Sequence, residues 1–308
     1  MTDRRTTSSQ PSHTSSQPSH RSPPPPTAAP ARPTPAALRG LRQWAIQLQG
    51  YRPDSIAALA GSPYPLVVID LARDANTDYF TAEDTAALHA AGTSVLAYFE
   101  IGSIEDFRPE YPGLRAGQPD LILNQWPEWP QEYFVRYWDE RWWELVLRPR
   151  IDQALRAGFD GVYLDTPLAY SEIDLALVPG ETRHSLGRRM ADLVVRLSAY
   201  ARSHRADLMV FPQNSPELRG YPGYPEAIDG IAIEELFFLA TDRPCDLDYC
   251  AENLRHARAL RAAGKTVLAI DYATRPENIR YARERYRAEG FAGYLSTVEV
   301  DRLSEAGQ

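Results

Sequence analysis

Cysteine and histidine are scarce in this chain, and their scarcity limits the metal sites that it can form. Only two cysteines occur among 308 residues, Cys245 and Cys250, and no pair of histidines lies near them in the sequence. A zinc site usually needs about four Cys, His or carboxylate ligands. The six histidines are scattered over the N-terminal segment and over stretches with a helical pattern: His13, His20, His89, His184, His204 and His256. We therefore predict neither a metal nor a cofactor.

Long apolar runs are also missing. No run reaches the length of about 20 residues that a transmembrane helix needs. A secretory signal peptide contains an apolar stretch of about 7–15 residues, and residues 1–30 contain none. The sequence as written therefore predicts no membrane span and a cytoplasmic location.

Positive charge is in short supply. The chain has 33 Lys and Arg against 41 Asp and Glu, a formal net charge of −8. Residues 1–37 carry +3, which leaves −11 for the rest of the chain. Nucleic-acid binding needs clustered Lys and Arg, so nucleic acid is excluded as a partner, whereas a cationic ligand would be attracted. The alternative is that the acidity only keeps the protein soluble.

The first 37 residues differ in composition from the rest. They consist almost entirely of Ser, Thr, Pro, Gln, Ala and Arg, with "SSQPSH" occurring twice and four prolines in a row at 23–26. Such a segment cannot bury enough apolar surface to offset the entropy that it would lose on ordering. We therefore predict a disordered N-terminal tail over 1–37 and one folded domain over 38–308.

From Trp44 onward, short apolar runs rich in β-branched and aromatic residues alternate with amphipathic helical patterns. Eight such runs occur, over residues 44–50, 65–72, 94–103, 161–166, 208–214, 230–236, 266–273 and 290–297. Several helical stretches end in glycine just before the next strand, as expected of a helix C-cap. Eight strands in about 250 residues match a TIM barrel. The predicted fold is therefore α/β, a single (β/α)8 barrel preceded by a disordered tail.

The active site of such a barrel lies at the C-terminal ends of its strands. Polar residues gather at all eight predicted ends: Gln47 and Gln49, Asp70, Glu100, Asp165, Gln213 and Asn214, Glu234 and Glu235, Asp271 and Tyr272, and Ser296 and Thr297. Any one of them could simply satisfy a turn or cap a helix. Their presence at every end favours a polar site at this face of the barrel.

One of these carboxylates is unexpected on physical grounds. Asp165 ends the apolar run "GVYLD", where a carboxylate is costly to desolvate unless it is hydrogen-bonded or lies at a cavity. It is therefore either structural or placed where chemistry happens. Glu234 ends "GIAIE" two strands further on, and strand alternation directs the next carboxylate, Glu235, to the opposite side.

A series of motifs makes the prediction more specific. "VVIDLARD", "AYFEIGSIEDFRPEY", "GFDGVYLDTPLAY", "FPQNSPEL" and "IDGIAIEELFF" follow one another in an order that resembles glycoside hydrolase family 114, the endo-α-1,4-polygalactosaminidases, over about residues 44–303. The resemblance implies a hydrolase of α-1,4-linked galactosamine and N-acetylgalactosamine polymers of microbial exopolysaccharide. It places Asp165 on the family's catalytic aspartate and Glu234 on its catalytic glutamate. We assign Asp165 as the nucleophile and Glu234 as the general acid/base.

Further residues are predicted to bind substrate. Free galactosamine is a cation, so acidic side chains are expected to contact its amine, and amide side chains its hydroxyl groups. The long connection after the third strand, residues 104–139, adds tryptophans and Tyr133, of which Trp126, Trp129 and Tyr133 are expected to stack on sugar rings. The predicted substrate-binding residues are Asp70, Glu100, Gln213, Asn214, Asp271, Tyr272, Trp126 and Tyr163.

Two alternative functions remain open at this stage. The barrel could bind carbohydrate without cutting it, or use the same carboxylates for transglycosylation. The predicted cytoplasmic location contrasts with the family, whose members are commonly exported.

Cys245 and Cys250 flank the start of a helix that Asp246 is predicted to cap, so we expect them to pack there as a hydrophobic staple. A disulfide between them is the alternative.

Overall fold

A computed structural model describes residues 37–304 and contains eight parallel strands that form a closed barrel. The strands are Ala45–Gln47 (β1), Leu66–Asp70 (β2), Ser94–Glu100 (β3), Gly161–Asp165 (β4), Met209–Pro212 (β5), Gly230–Glu234 (β6), Thr266–Asp271 (β7) and Ala292–Leu295 (β8). Neighbours pair in parallel from β1 to β5 and from β6 to β8. Single bridges, Gln213 to Ala232 and Gln43 to Gly293, join the two groups. The predicted (β/α)8 barrel is thus confirmed, whereas the predicted tail lies outside the described residues apart from residue 37.

Helices fill the connections between the strands. They span Ser55–Ala60, Ala82–Ala90, Tyr111–Gly117, Glu140–Trp142, Arg148–Arg156, Ala169–Glu172, Arg183–His204, Tyr224–Ala227, Asp248–Ala262 and Pro276–Glu289. A π-helical turn, Trp143–Leu147, joins the fourth to the fifth, and short 3-10 turns span Ala37–Gly40, Pro119–Leu121, Leu175–Leu177 and Pro216–Gly220. Among residues 37–304, no helix combines the length and apolar character needed to cross a bilayer.

Glycine ends several of the helices, as the sequence predicts. Gly92, Gly158, Gly264 and Gly290 have φ angles of 83°, 79°, 83° and 71°, and each lies a few residues before a strand. This left-handed conformation carries no Cβ penalty in glycine. The four glycines therefore allow the sharp reversal from helix to strand that repeats around the barrel.

The connection after β3 forms a small sheet of its own. It contains three antiparallel strands, Ser103–Glu105, Ile122–Gln125 and Glu132–Val135, with the last of them in the centre. We call this unit the β3 excursion. Val135 N–H donates to the carbonyl of Gly102 at 3.1 Å, so the excursion sheet is attached directly beside the end of β3. This attachment brings the excursion close to Asp165 at the end of β4.

Aromatic side chains fill the barrel interior below the strand ends. Trp44, just before β1, stacks on Tyr163 of β4 with ring centroids 6.1 Å apart, and Tyr163 lies 6.0 Å from the ring of Tyr98 in β3. Because β1 and β4 are three strands apart around the eight-stranded barrel, the Trp44–Tyr163 contact crosses its interior. These rings fill the barrel interior beneath the polar strand ends.

The segment after β6 is cross-linked. It contains a short hairpin of Phe238–Leu239 and Arg243–Pro244, followed by a disulfide between Cys245 and Cys250 with a Cα–Cα distance of 5.9 Å. The expectation that the two cysteines only pack against each other is therefore wrong. The helix also begins later than predicted, at Asp248 with Leu247 as its N-cap, and Asp246 does not cap it. The sequence spacing suits a cross-link because it spans the first helical turn.

Candidate active site

Asp165, the last residue of β4, is held in one orientation by two donors. The Tyr98 hydroxyl donates to Oδ2 at 2.5 Å, and the backbone N–H of Thr166 donates to Oδ1 at 2.6 Å. Thr166 has a φ of 61°, a left-handed conformation that β-branched residues rarely adopt. Backbone strain of this kind often accompanies functional sites. The turn at Thr166 directs its N–H at the carboxylate and fixes Asp165 in place.

Glu234, the last residue of β6, is fixed by three donors. The Tyr272 hydroxyl donates to Oε1, and the side-chain amides of Gln213 and Asn214 donate to Oε2, the latter at 3.0 Å. Asn214 also accepts the backbone N–H of Glu234 at 3.0 Å through its own side-chain oxygen. Three residues predicted to bind substrate therefore lie at the site, and in this structure they orient Glu234.

The two carboxylates influence each other electrostatically. Burial, followed by the negative charge of Glu234, raises the pKa of Asp165 to about 7, and the hydrogen bonds from Tyr98 and Thr166 oppose this rise. Burial and a like-charged neighbour both disfavour a second negative charge. Asp165 therefore ionises close to neutral pH, well above the range of an ordinary aspartate.

Asp70 and Glu100 need a correction, because the structure engages both in buried ion pairs. Arg108 donates to Asp70 Oδ2 at 2.9 Å and to Glu100 Oε1 at 2.9 Å, and Arg150 donates to Glu100 Oε2 at 2.8 Å. Asp70 is 1% exposed and Glu100 is 0% exposed. Since their charges are compensated and shielded from solvent, they are not placed to bind a substrate amine. They are part of an internal network, completed by Glu105 and Glu110.

Asp271 also needs a correction. Its Oδ1 accepts the backbone N–H groups of Phe237 and Phe238 at 2.7 and 2.8 Å, and its Oδ2 accepts the Tyr286 hydroxyl at 2.7 Å. Tyr286 lies on the helix Pro276–Glu289, so Asp271 points toward this helix, whereas the next residue, Tyr272, points to Glu234. Burial raises the pKa of Asp271 to about 6. Its role is to hold the segment after β6.

The aromatic residues divide into internal and accessible groups. Tyr163 is fully buried between Trp44 and Tyr98. It therefore lies in the barrel interior, where it is not placed for the predicted contact with substrate. Trp126 is partly buried and packs on Phe134 with a centroid distance of 5.2 Å. Trp142 and Trp143 are buried, and Tyr133 packs on Tyr111. Among residues 37–304, the exposed rings are Phe107, Trp129, Tyr249 and Tyr281.

Two segments approach each other near the pair. One is the loop of the β3 excursion that carries Glu128 and Trp129. The other follows β6, beginning at Glu235 and reaching Tyr249 in the first turn of the helix Asp248–Ala262. Burial, then the charges of Glu234 and Glu128, raise the pKa of Glu235, while a hydrogen bond from Ala240 N–H at 2.8 Å opposes the rise. Burial, then the charges of Glu235 and Glu128, raise the pKa of Tyr249. Because the charges of Glu128, Glu234 and Glu235 act on these groups, both segments lie beside the end of β6.

Sequence reasoning missed four residues around Asp165: Tyr98, Ser103, Glu132 and Thr166. Tyr98 lies two residues before Glu100, and strand alternation could have identified it as a neighbour of Asp165. Glu132 lies in the β3 excursion, which has no repeating pattern that would indicate its position. Among residues 37–304, no group of three His, Cys or carboxylate side chains is arranged to hold a metal ion.

The fold and the pair together define the class of protein. Two carboxylates at the ends of β4 and β6 of a (β/α)8 barrel are the arrangement of a glycoside hydrolase. The family model described as glycoside-hydrolase family GH114 matches residues 23–308, and the chain belongs to this family. The resemblance inferred from the motifs is confirmed, and the substrate is a carbohydrate.

The chain is similar to proteins of other organisms and shares its fold with solved structures. An uncharacterized protein of Deinococcus radiodurans is 34% identical over 268 residues, covering 87% of this chain and 84% of its own. Another, from Thermotoga maritima, is 29% identical over 233 residues, covering 74% and 70%. The fold is shared with the glycoside hydrolase domain of PelA from Pseudomonas aeruginosa, with a TM-score of 0.66, 22% identity and coverage of 86% and 98%. It is also shared with Aspergillus fumigatus Ega3 in complex with galactosamine, with a TM-score of 0.66, 18% identity and coverage of 90% and 97%.

Proposed function

We propose that this protein hydrolyses α-1,4-linked galactosamine polymers with Asp165 as the nucleophile and Glu234 as the general acid/base. The observation that carries the proposal is the pair itself. Asp165 and Glu234 end two strands of one barrel face, and the charge of Glu234 helps to raise the pKa of Asp165. Two oriented carboxylates at one face of a barrel suit cleavage of a glycosidic bond.

In the proposed reaction, Glu234 donates its proton to the glycosidic oxygen while Asp165 attacks the anomeric carbon. The bond between that carbon and the leaving oxygen breaks, and a glycosyl ester forms on Asp165. Glu234, now ionised, then takes a proton from water, which attacks the anomeric carbon and releases Asp165. Tyr98 and Thr166 keep Asp165 oriented during both steps, and Tyr272, Gln213 and Asn214 do the same for Glu234.

Several features support a polymer of amino sugar as the substrate. The chain carries a net charge of −8, and Glu128 and Glu235 lie on the loops beside the pair, where negative charge attracts a cationic amine. Trp129, on the first of these loops, is 50% exposed, and Tyr249, at the start of the helix Asp248–Ala262, is 47% exposed. Aromatic faces of this kind combine apolar area with a polar edge, so they suit the apolar faces of sugar rings. The Ega3 complex contains galactosamine in the same fold.

Parallel digests would test the substrate. Purified protein should release reducing ends and short oligosaccharides from deacetylated α-1,4-galactosamine polymer, more slowly from its N-acetylated form, and none from α-1,4-glucan. Glu234→Gln provides the inactive control. The anomer of the first product, followed by proton NMR, should retain the α configuration. Binding of the polymer without any cleavage would contradict the hydrolase proposal, and longer products would indicate transglycosylation instead.

The pH dependence follows from the raised pKa of Asp165. A carboxylate nucleophile attacks in its ionised form, and the pKa of Asp165 is raised to about 7, so the attacking form is lost as the pH falls below 7. We expect kcat/KM on the polymer to fall about tenfold for each pH unit below 7, because one proton is bound. Initial rates between pH 4 and 9 at constant ionic strength would check this. A rate that stays constant between pH 7 and 5 would contradict the role of Asp165 as the nucleophile.

A further inference from the structure

A chain of oxygen atoms runs from Glu132 to the backbone of Asp165. Glu132 Oε1 lies 2.5 Å from the Ser103 hydroxyl, which lies 2.8 Å from the Thr166 hydroxyl. The Thr166 hydroxyl lies 2.8 Å from the carbonyl oxygen of Asp165, and it also accepts the N–H of Gly102 at 3.1 Å. Ser103 and Thr166 are fully buried, and Glu132 is 7% exposed. Every contact lies within the range of an O–H···O or N–H···O hydrogen bond.

The number of protons in this chain determines the charge of Glu132. The chain contains three contacts between oxygens, and each needs one proton to be a hydrogen bond. Ser103 and Thr166 supply one hydroxyl proton each, and the carbonyl of Asp165 supplies none. An ionised Glu132 would leave two oxygens 2.5–2.8 Å apart with no proton between them. A protonated Glu132 completes the chain, with donation running from Glu132 to Ser103, to Thr166 and to the carbonyl of Asp165.

We propose that Glu132 is a neutral carboxylic acid that heads this relay and positions Asp165 through Ser103 and Thr166. The proposal rests on the proposed function, because it makes Glu132 a positioning residue for the nucleophile. Glu132 does not contact the reacting atoms itself.

The surroundings of Glu132 favour the neutral form. Asp165 faces it from β4, Glu100 from β3, and Glu105 lies opposite it in the excursion sheet, while Arg108 is the cation nearby. Burial, then the charge of Asp165, raises the pKa of Glu132 to about 8, and the contacts with Ser103 and Arg108 oppose this rise. Arg108 is already engaged by Asp70 and Glu100, so it compensates Glu132 only weakly.

The relay matters because it holds the strained turn at Thr166. At a φ of 61° the β-branched Thr166 is in an unfavourable conformation. Hydrogen bonds with the Ser103 hydroxyl and the Gly102 N–H hold its side chain in this conformation. Gly102 is needed for this approach, since a Cβ at this position would lie 2.3 Å from the Thr166 carbonyl oxygen. The same turn directs the Thr166 N–H at Asp165 Oδ1. Loss of the relay should therefore loosen the nucleophile.

The charge of Glu132 can be measured without any activity assay. The infrared difference spectrum between wild type and Glu132→Gln at pH 6 should contain the carbonyl band of one protonated carboxyl group, and Glu144→Gln, an exposed control, should not remove this band. An unfolded glutamate titrates near 4.5 and Glu132 near 8, so the folded chain binds the extra proton between these values. The stability of the wild type should thus fall relative to Glu132→Gln as the pH rises from 4.5 to 8.

Kinetics then test the positioning role. Glutamine keeps an N–H donor for Ser103, so Glu132→Gln should retain most of the wild-type kcat on the polymer at pH 6. Glu132→Ala and Ser103→Ala should each lower kcat by about tenfold to a hundredfold, the range expected of a misplaced reacting group, with little change in KM. A general loss of folding would instead lower the active fraction of Glu132→Ala, Ser103→Ala and Glu132→Gln alike.

Each result supports or overturns the proposal. Spectra of wild type and Glu132→Gln that superimpose in the region of the protonated carboxyl band would show that Glu132 is ionised and would overturn it. A Gln variant as inactive as the Ala variant would also overturn it, since the negative charge would then be the required feature. If the wild type does not cut the polymer at all, the proposed function fails, while the spectra and the pH dependence of stability still decide whether Glu132 is neutral.

Discussion

Asp165→Asn is expected to lower kcat on galactosamine polymer by about a hundredfold or more, and Glu234→Gln by a similar factor. The amide that replaces the Asp165 carboxylate is a far weaker nucleophile, and the amide that replaces the Glu234 carboxyl group has no acidic proton to give to the leaving oxygen. Both substitutions preserve size and most hydrogen bonds, so the loss would be chemical and not structural. Initial rates from reducing ends at pH 6, with circular dichroism of each variant, would check this.

The two roles can be separated with a synthetic aryl α-galactosaminide. A good leaving group departs without protonation, so Glu234→Gln should lose much less on this substrate than on polymer, whereas Asp165→Asn should lose equally on both. Asp192→Asn, an exposed carboxylate on the helix Arg183–His204, is the matched control and should keep full activity. If Glu234→Gln loses equally on both substrates and Asp165→Asn does not, the roles of the two residues are reversed.

Arg108→Met is expected to destabilise the fold by about 3–5 kcal/mol, the usual result of removing one partner from a buried ion pair. Arg108 is 6% exposed and is bonded to Asp70, Glu100 and Glu105. Methionine fills much of the same volume, but it leaves Asp70 without its cation and Glu100 with Arg150 alone. The free energy of unfolding from urea titrations at pH 7 would measure the loss.

Arg141→Met provides the matched control. Arg141 is also paired with two carboxylates, Asp120 and Asp139, but its side chain is 39% exposed, so its loss should cost less than about 1 kcal/mol. The double variant Arg108→Met, Glu100→Gln should be more stable than the two single effects predict by addition, because the residues interact directly. Equal losses for Arg108→Met and Arg141→Met would contradict a structural role of the buried network.

Much of the fold was predictable because its determinants are local. The alternation of apolar runs with helical patterns, and glycines such as Gly92 and Gly264 just before a strand, follow from backbone and side-chain preferences within a few residues. Asp165 was identifiable for the same reason, since it ends an apolar strand in an unexpected carboxylate, whereas Glu234 was singled out by the resemblance to the family. Their roles nevertheless remain predictions, as does the preference for galactosamine.

The remaining parts of the site depend on partners that are far apart in sequence. Glu100 and Asp271 lie at strand ends just as Asp165 does, but Arg150 and Tyr286, which engage them, lie 50 and 15 residues away. Strand alternation alone does not specify which way the last residue of a strand turns. Glu132 is harder still to place from the sequence, because it reaches the surroundings of Asp165 only through the irregular β3 excursion. Such contacts follow only from tertiary packing.

The Cys245–Cys250 bond has a consequence for where the protein can mature. Glutathione and thioredoxin keep thiols reduced in the cytosol of most cells, and structural disulfides are formed and maintained in oxidising compartments. The bonded pair therefore favours oxidising surroundings for folding over the reducing ones that the predicted cytoplasmic location implies. In reducing surroundings the segment between β6 and the helix Asp248–Ala262 would lose its covalent tie to that helix, so the shape of the protein beside Glu234 depends on the oxidation of the two cysteines.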